Sequence, residues 1–262
     1  MTSTEHLSVE TAEGVGRIVM DRPERHNAMD EAMAANLATT IDSLSADDDV
    51  RCLVLTGTDG VFNTGADLST FDGDETDADR LDAIATPLHA AVQALVDAPK
   101  PVVTGVNGVV AGGGLGLALA GDVVLVADDA RFEYAYPTIG LSGDGGATWF
   151  LPRLLGLRRA QAFALLEEPI DATAAVEHGL ATDAVPADEF DDRLEATASK
   201  LASGPTLAYA EIKTLLHESG QNDLETHLDA EKDRITDLAD TDDYAAGLHG
   251  FLEKESPEFE GE

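Results

Sequence analysis

Two glycine-centred segments have the residue types to present bare main-chain N–H groups to a ligand. Val61-Phe62-Asn63-Thr64-Gly65-Ala66-Asp67-Leu68 directly follows an apolar run at Arg51 to Thr56. Val106-Asn107-Gly108-Val109-Val110-Ala111-Gly112-Gly113-Gly114-Leu115-Gly116 follows a second run at Val102 to Val106 and leads into a helical pattern. Consecutive glycines at a strand-to-helix junction let the backbone approach a ligand closely, and the first N–H groups of a helix have no partner within it. An anionic oxygen, or one on which charge develops during a reaction, fits there. Tight packing of the helix on a sheet would use the same glycines. A nucleotide loop is disfavoured. G-x-G-x-x-G read from Gly112, Gly113 or Gly114 meets Leu117, Leu115 or Leu119 where glycine is needed, and G-x-x-x-x-G-K-[ST] does not occur.

Such loops need strands and helices to hold them, and the hydrophobic periodicity supplies both. Leu7 to Glu10 and Val15 to Met20 read as short strands around the turn Ala12-Glu13-Gly14. Asp30 to Leu44 carries Met33, Leu37, Ile41 and Leu44 on one helical face. Leu81 to Val96 does the same with Leu81, Ile84, Leu88, Val92 and Leu95, and Pro99 and Pro101 close it. Arg51 to Thr56, Val102 to Val106 and Val123 to Ala127 read as strands, so the alternation predicts an α/β fold with βαβ crossovers and a mostly parallel sheet. From Ala160 onward the pattern turns helical: Ala160 to Leu166, Asp171 to His178, Asp188 to Ala202, Pro205 to His217 and Asn222 to Leu238, with one apolar break near Ala184-Val185. The last third therefore reads as a helical appendage. The acidic stretch Asp72 to Asp79 reads as a solvated, mobile surface loop.

Composition narrows the partners. The 262 residues suit one large domain or one and a half. They carry 51 Asp+Glu against 16 Lys+Arg, a formal charge of −35. A surface so negative repels phosphate backbones and anionic lipid, which excludes a general role on nucleic acid or at a membrane. Apolar residues make up 44% of the chain, enough for a buried core. Cys52 is the only cysteine, so there is neither an intramolecular disulfide nor a Cys-rich metal site. The opening MTSTEHLSVE lacks the pattern of a secretory signal, and no apolar run approaches the ~20 residues of a spanning helix, so a cytoplasmic protein is expected. The acid excess fits a halophile's protein working in concentrated salt, where screening acts over about 3 Å at 1 M.

A resemblance sharpens this. Arg22-Pro23-Glu24-Arg25-His26-Asn27-Ala28-Met29, then Phe62 to Leu68, then Asn107 to Gly114 with Leu119-Ala120-Gly121-Asp122 resemble the crotonase (enoyl-CoA hydratase/isomerase) family. So do Ile139-Gly140-Leu141 with Leu151-Pro152-Arg153, and Gly250-Phe251-Leu252-Glu253-Lys254, all in the family's order and over nearly the whole chain. The resemblance implies a crotonase-like ββα spiral core over residues 1–200 and a C-terminal helical region, 201–262, for oligomerisation and CoA contact, giving a homotrimer or a dimer of trimers. It implies that the Ala66 and Gly113 N–H groups hold the thioester oxygen of an acyl-CoA substrate and stabilise its enolate. A preorganised donor of this kind contributes on the order of 3 kcal/mol to kcat. No metal is expected, and no cofactor beyond the CoA of the substrate.

The acid/base residue departs from the hydratase pattern. Where hydratases place their two Glu, this chain has Gly116 and Tyr136, and neither holds a water as a carboxylate does. A carboxylate appears instead at Asp144, in Ser142-Gly143-Asp144-Gly145-Gly146-Ala147-Thr148-Trp149, a stretch that looks closest to 1,2-epoxyphenylacetyl-CoA isomerases. Beside an oxyanion hole an Asp can move a proton between the carbons of a dienolate, or attack an aromatic acyl group as a nucleophile. It can also cap a helix beginning at Gly145.

Charge poses a further requirement, because CoA is polyanionic. The resemblance places Arg25 beside the pyrophosphate, Ala28, Asp67 and Leu68 against adenine and pantetheine, and Phe251 and Lys254 at the CoA of a neighbouring subunit. Tyr136 reads as orienting substrate or as packing. Glu133 reads as approaching the pocket from a strand end, and His89, His178, His217, His227 and His249 read as helix-surface residues. The expected activity is isomerisation of an enoyl-CoA or epoxyphenylacetyl-CoA-type thioester with Asp144 as acid/base. The alternatives are an enoyl-CoA hydratase acting without the Glu pair and a non-catalytic acyl-CoA-binding subunit.

Overall fold

The computed structural model describes residues 2–262. Its strands, in chain order, are β1 (Thr2–Thr4), β2 (Leu7–Ala12), β3 (Val15–Met20), β4 (Cys52–Gly57), β5 (Val61–Asn63), β6 (Val102–Val106), β7 (Val109–Ala111), β8 (Val123–Ala127), β9 (Arg131–Glu133), β10 (Ile170–Asp171) and β11 (Asp183–Val185). The helices are α1 (Glu31–Ser45), α2 (Asp77–Asp97), α3 (Gly114–Leu119), α4 (Ala147–Leu154), α5 (Leu157–Leu166), α6 (Ala172–His178), α7 (Phe190–Ala202), α8 (Thr206–Glu218), α9 (Leu224–Leu238) and α10 (Asp242–Glu253).

A 7-stranded sheet runs β1-β2-β3-β4-β6-β8-β11. It is antiparallel through the β2–β3 hairpin and parallel from β3 onward. Every residue of β6, and all of β4 except its last, is buried, because a parallel strand covered on both faces has no polar side to alternate with. The helix α7 lies across β3, β4, β6 and β8, with Leu194 fully buried. Asp30 caps α1 by accepting the Met33 N–H at 2.9 Å, which fixes where that helix starts.

A second, 4-stranded sheet, β10-β9-β7-β5, positions the chemistry. After β4 the chain turns into β5, and after β6 into β7, so each glycine-centred loop leaves the end of a strand in this small sheet. β5, β7 and β9 are three residues each, too short for a two-residue period to register in the sequence. The helical last third is also less separate than its periodicity suggests. β11 pairs in parallel with β8 at the edge of the main sheet, and β10 pairs with β9. The acidic stretch is not a free loop either. Asp77 begins α2 and accepts the N–H groups of Asp72 and Gly73, and Arg80 pairs with both Asp72 and Asp77. Among the described residues no helix is long and apolar enough to cross a membrane.

Candidate active site

The first loop is built on Asn63, which is fully buried at the end of β5. Its Oδ1 accepts the Gly65 N–H at 2.8 Å and its Nδ2 donates to the Asn27 carbonyl at 2.6 Å. Asn27 has φ +54° and reaches in turn to the Val61 carbonyl at 2.8 Å. Gly65 has φ +84°, a conformation that side chains with a Cβ rarely adopt. Met29 and Ala66 then form a parallel bridge in which Met29 N–H donates to Gly65 O at 2.7 Å and Asp67 N–H to Met29 O at 2.8 Å. That bridge consumes the groups on either side of Ala66 and leaves its own N–H over. The second loop ends where α3 begins, with Leu115 N–H donating to Gly112 O at 3.0 Å. Among the described residues, neither the Ala66 N–H nor the Gly113 N–H donates to a protein acceptor. The loops touch: a Cβ on Gly65 would stand 3.1 Å from Gly113 N.

The carboxylate arrives from a third segment. The Tyr136 hydroxyl donates to Asp144 Oδ1 at 2.6 Å, and a Cβ on Gly113 would lie 3.6 Å from that same oxygen. Burial first, and the Asp144 charge second, push the Tyr136 phenol far above its ordinary value, so it is held as a donor. Asp144 does not cap a helix with its side chain. The helix α4 starts at Ala147, and only the Asp144 main-chain carbonyl accepts the Ala147 N–H. On the other side His89, on α2, places Nε2 3.9 Å from Asp144 Oδ2 and accepts the Gly145 N–H at 3.2 Å. His89 is thus no mere helix-surface residue, a contact invisible to a periodicity that counts apolar positions.

Gly116 shows why the hydratase pattern is broken here. A Cβ at Gly116 would sit 1.5 Å from the Gly145 carbonyl oxygen and 2.6 Å from its carbon, so the Gly145 backbone occupies the space where a side chain at this position would begin.

Ala66, Leu68, Gly113, Tyr136 and Asp144 line one cavity of about 390 Å³, together with Met29 and, from α2, Ala78, Leu81, Asp82, Ile84, Ala85 and Leu88. The other expected binding residues stand outside it. The Asp67 side chain is buried and turned to Arg22, with Arg22 Nη1 2.9 Å from Asp67 Oδ2 and the Ser69 N–H donating to Oδ1 at 3.0 Å. Burial would raise the Asp67 carboxyl, but the Ser69 hydrogen bond and the Arg22 guanidinium outweigh it and hold it below its ordinary value. Arg25 is half-exposed, 3.9 Å from the same carboxylate, and Ala28 is buried. Phe251 and Lys254 are exposed at the end of α10. Glu133 pairs with Arg131 rather than entering the cavity. Among the described residues no group of three His, Cys, Asp or Glu could hold a metal ion.

The chain is similar to known proteins over nearly its whole length. A family model described as "Enoyl-CoA hydratase/isomerase" matches residues 10–262. The chain is 38% identical over 250 residues to the 1,2-epoxyphenylacetyl-CoA isomerase of Escherichia coli, covering 95% of each chain. It is also 38% identical over 255 residues to a "Probable enoyl-CoA hydratase" of Rhodobacter capsulatus, covering 97% of this chain and 98% of that one. The crystal structure of an enoyl-CoA hydratase from Bacillus anthracis superposes with a TM-score of 0.92 at 29% identity, covering 98% of this chain and 100% of the other.

Proposed function

Because this chain belongs to the enoyl-CoA hydratase/isomerase family, we propose that it isomerises an enoyl-CoA or epoxyphenylacetyl-CoA-type thioester, with Asp144 as the group that moves the proton. One observation carries the reading: the Asp144 carboxylate stands beside Gly113, in a largely apolar cavity that the two main-chain N–H groups without a protein acceptor also line. The Ala66 and Gly113 N–H groups hold the thioester oxygen. Asp144 takes a proton from one carbon, which breaks a C–H bond and moves the electron pair through the conjugated system onto that oxygen. It then returns the proton to a second carbon as the double bond re-forms, so the product has the composition of the substrate. Neither step requires a metal or a second cofactor.

CoA binding completes the proposal. Arg25 lies near the pyrophosphate, Ala28, Asp67 and Leu68 shape the adenine and pantetheine path, and Phe251 and Lys254 reach the CoA of a neighbouring subunit in a homotrimer or dimer of trimers. Exposed apolar side chains on the C-terminal helices support such an assembly: Ile212, Leu216, Leu224, Leu228, Ile235 and Phe251 are solvent-facing in the single chain. The charge of −35 supports a working environment of concentrated salt. Activity and assembly then rise toward molar salt, and a maximum of both in dilute buffer would overturn that part.

A second reading, water addition with Asp144 alone, is favoured by the equal identity to the R. capsulatus protein. Mass spectrometry of products from 2-enoyl-, 3-enoyl- and epoxyphenylacetyl-CoA separates the two. Products of unchanged mass support isomerisation, and products heavier by one water support hydration. No turnover of any of the three, with CoA thioesters still bound, would point to a non-catalytic binding subunit.

A further inference from the structure

We propose, building on the acyl-CoA reading above, that Asp82 makes the acyl cavity select neutral, apolar acyl groups and reject those ending in a carboxylate. Ala78, Asp82 and Ala85 follow one another at i, i+4 and i+7 on α2, and all line the cavity. The alanines leave space on either side of the carboxylate. Among the described residues Asp82 has no ion-pair or side-chain hydrogen-bond partner, unlike Asp77 and Asp72 earlier in the chain, which share Arg80. No Lys, Arg or His lines the cavity, so its two charged members, Asp82 and Asp144, have the same sign. The rest of the wall is supplied mainly by Leu68, Leu81, Ile84, Leu88, Ile139 and Leu141.

A hydrocarbon chain or aromatic ring gains from that wall. A terminal carboxylate brings a third negative charge into a space with no cation to pair it, and it loses water without replacement. Exclusion by like charge is a specificity device that leaves apolar binding untouched. Asp82 is exposed to solvent at the cavity wall, so substituting it disturbs no packing.

The test is calorimetric titration with two unreactive, saturated thioesters of equal length, octanoyl-CoA and its ω-carboxylate counterpart suberoyl-CoA. Coulomb repulsion at short range predicts that the wild type binds octanoyl-CoA roughly tenfold more tightly or better. Asp82→Asn narrows that ratio by about threefold or more, and Asp82→Lys narrows it further, while octanoyl-CoA affinity stays within about twofold. Equal affinities in the wild type, or a ratio that Asp82→Asn and Asp82→Lys leave unchanged, would overturn the proposal while leaving the acyl-CoA reading in place. Binding of neither thioester would overturn the acyl-CoA reading itself, and this inference with it.

Discussion

The Tyr136 hydroxyl holds Asp144 Oδ1 at 2.6 Å, while Oδ2, 3.9 Å from His89 Nε2, receives no hydrogen bond from the described residues. The two oxygens of one carboxylate are therefore unequal. One is fixed by a buried donor and the other is available to a reacting carbon. Removing the donor in Tyr136→Phe costs a hydrogen bond to a charged group, which predicts a fall in kcat of roughly tenfold or more with KM changed by less than about threefold. The phenol is raised by burial and by the Asp144 charge, so it stays protonated through the neutral range. The wild-type pH–rate profile should then show no limb due to Tyr136 below about pH 10. An alkaline limb near neutrality that disappears in Tyr136→Phe would contradict this assignment.

Gly116 makes a prediction about engineering. Restoring the hydratase residue as Gly116→Glu drives a Cβ into the Gly145 carbonyl at 1.5 Å, so the Asp144 loop must move. We expect destabilisation of about 3 kcal/mol and loss of activity, with no gain in hydration of crotonyl-CoA. Thermal unfolding and the loss of enoyl absorbance read the two effects separately. A stable Gly116→Glu variant that hydrates crotonyl-CoA would show that the loop does not block the site.

Asn63 links the fold to the donor loop. In Asn63→Ala the buried Gly65 N–H and Asn27 carbonyl each lose their partner. The expected loss is about 2 kcal/mol of stability, with kcat lowered roughly tenfold as Ala66 loses its placement. Denaturant melts and steady-state kinetics on one preparation test both. Full stability with full activity would remove Asn63 from the account.

Asp67 gives a pH signature. Its carboxyl is held below its ordinary value in the folded chain, so the folded state favours the ionised form. The resulting stability is present above the unfolded value of about 4 and is lost as pH falls through the lower folded value. Asp67→Asn removes this contribution and leaves Arg22 with Asp30, at 3.2 Å, as its one carboxylate within hydrogen-bonding distance, beside its 2.8 Å bond to the Ala28 carbonyl. We expect a loss of about 2 kcal/mol at pH 7 that shrinks on acidification below about pH 4. A deficit that does not change between pH 7 and pH 3 would contradict it.

These predictions divide by what residue order alone can reveal. Ala66, Gly113 and Asp144 stand out in residue order through the family resemblance of the segments that carry them, and the structure brings all three to one cavity. Asn63 is as central as Ala66, yet a buried Asn looks like any loop Asn until its Asn27 and Gly65 partners are known. His89 and Asp82 sit in a helix recognised from Leu81, Ile84 and Leu88, a pattern that says nothing of what the polar positions face. The role of Gly116 depends on Gly145, 29 positions later in the chain and in direct contact in space. Contacts of that range are fixed by the crossover topology, which periodicity predicts in kind but not in register.

The most direct test of the central claim is the turnover of 3-enoyl-CoA by Asp144→Asn, with binding of a saturated acyl-CoA measured on the same protein. Asn preserves the size of the side chain and removes its ability to accept a proton, so we predict that kcat falls by about 10³-fold while acyl-CoA affinity stays within about threefold. Turnover by Asp144→Asn equal to that of the wild type would contradict the account, since Asp144 would then not carry the proton.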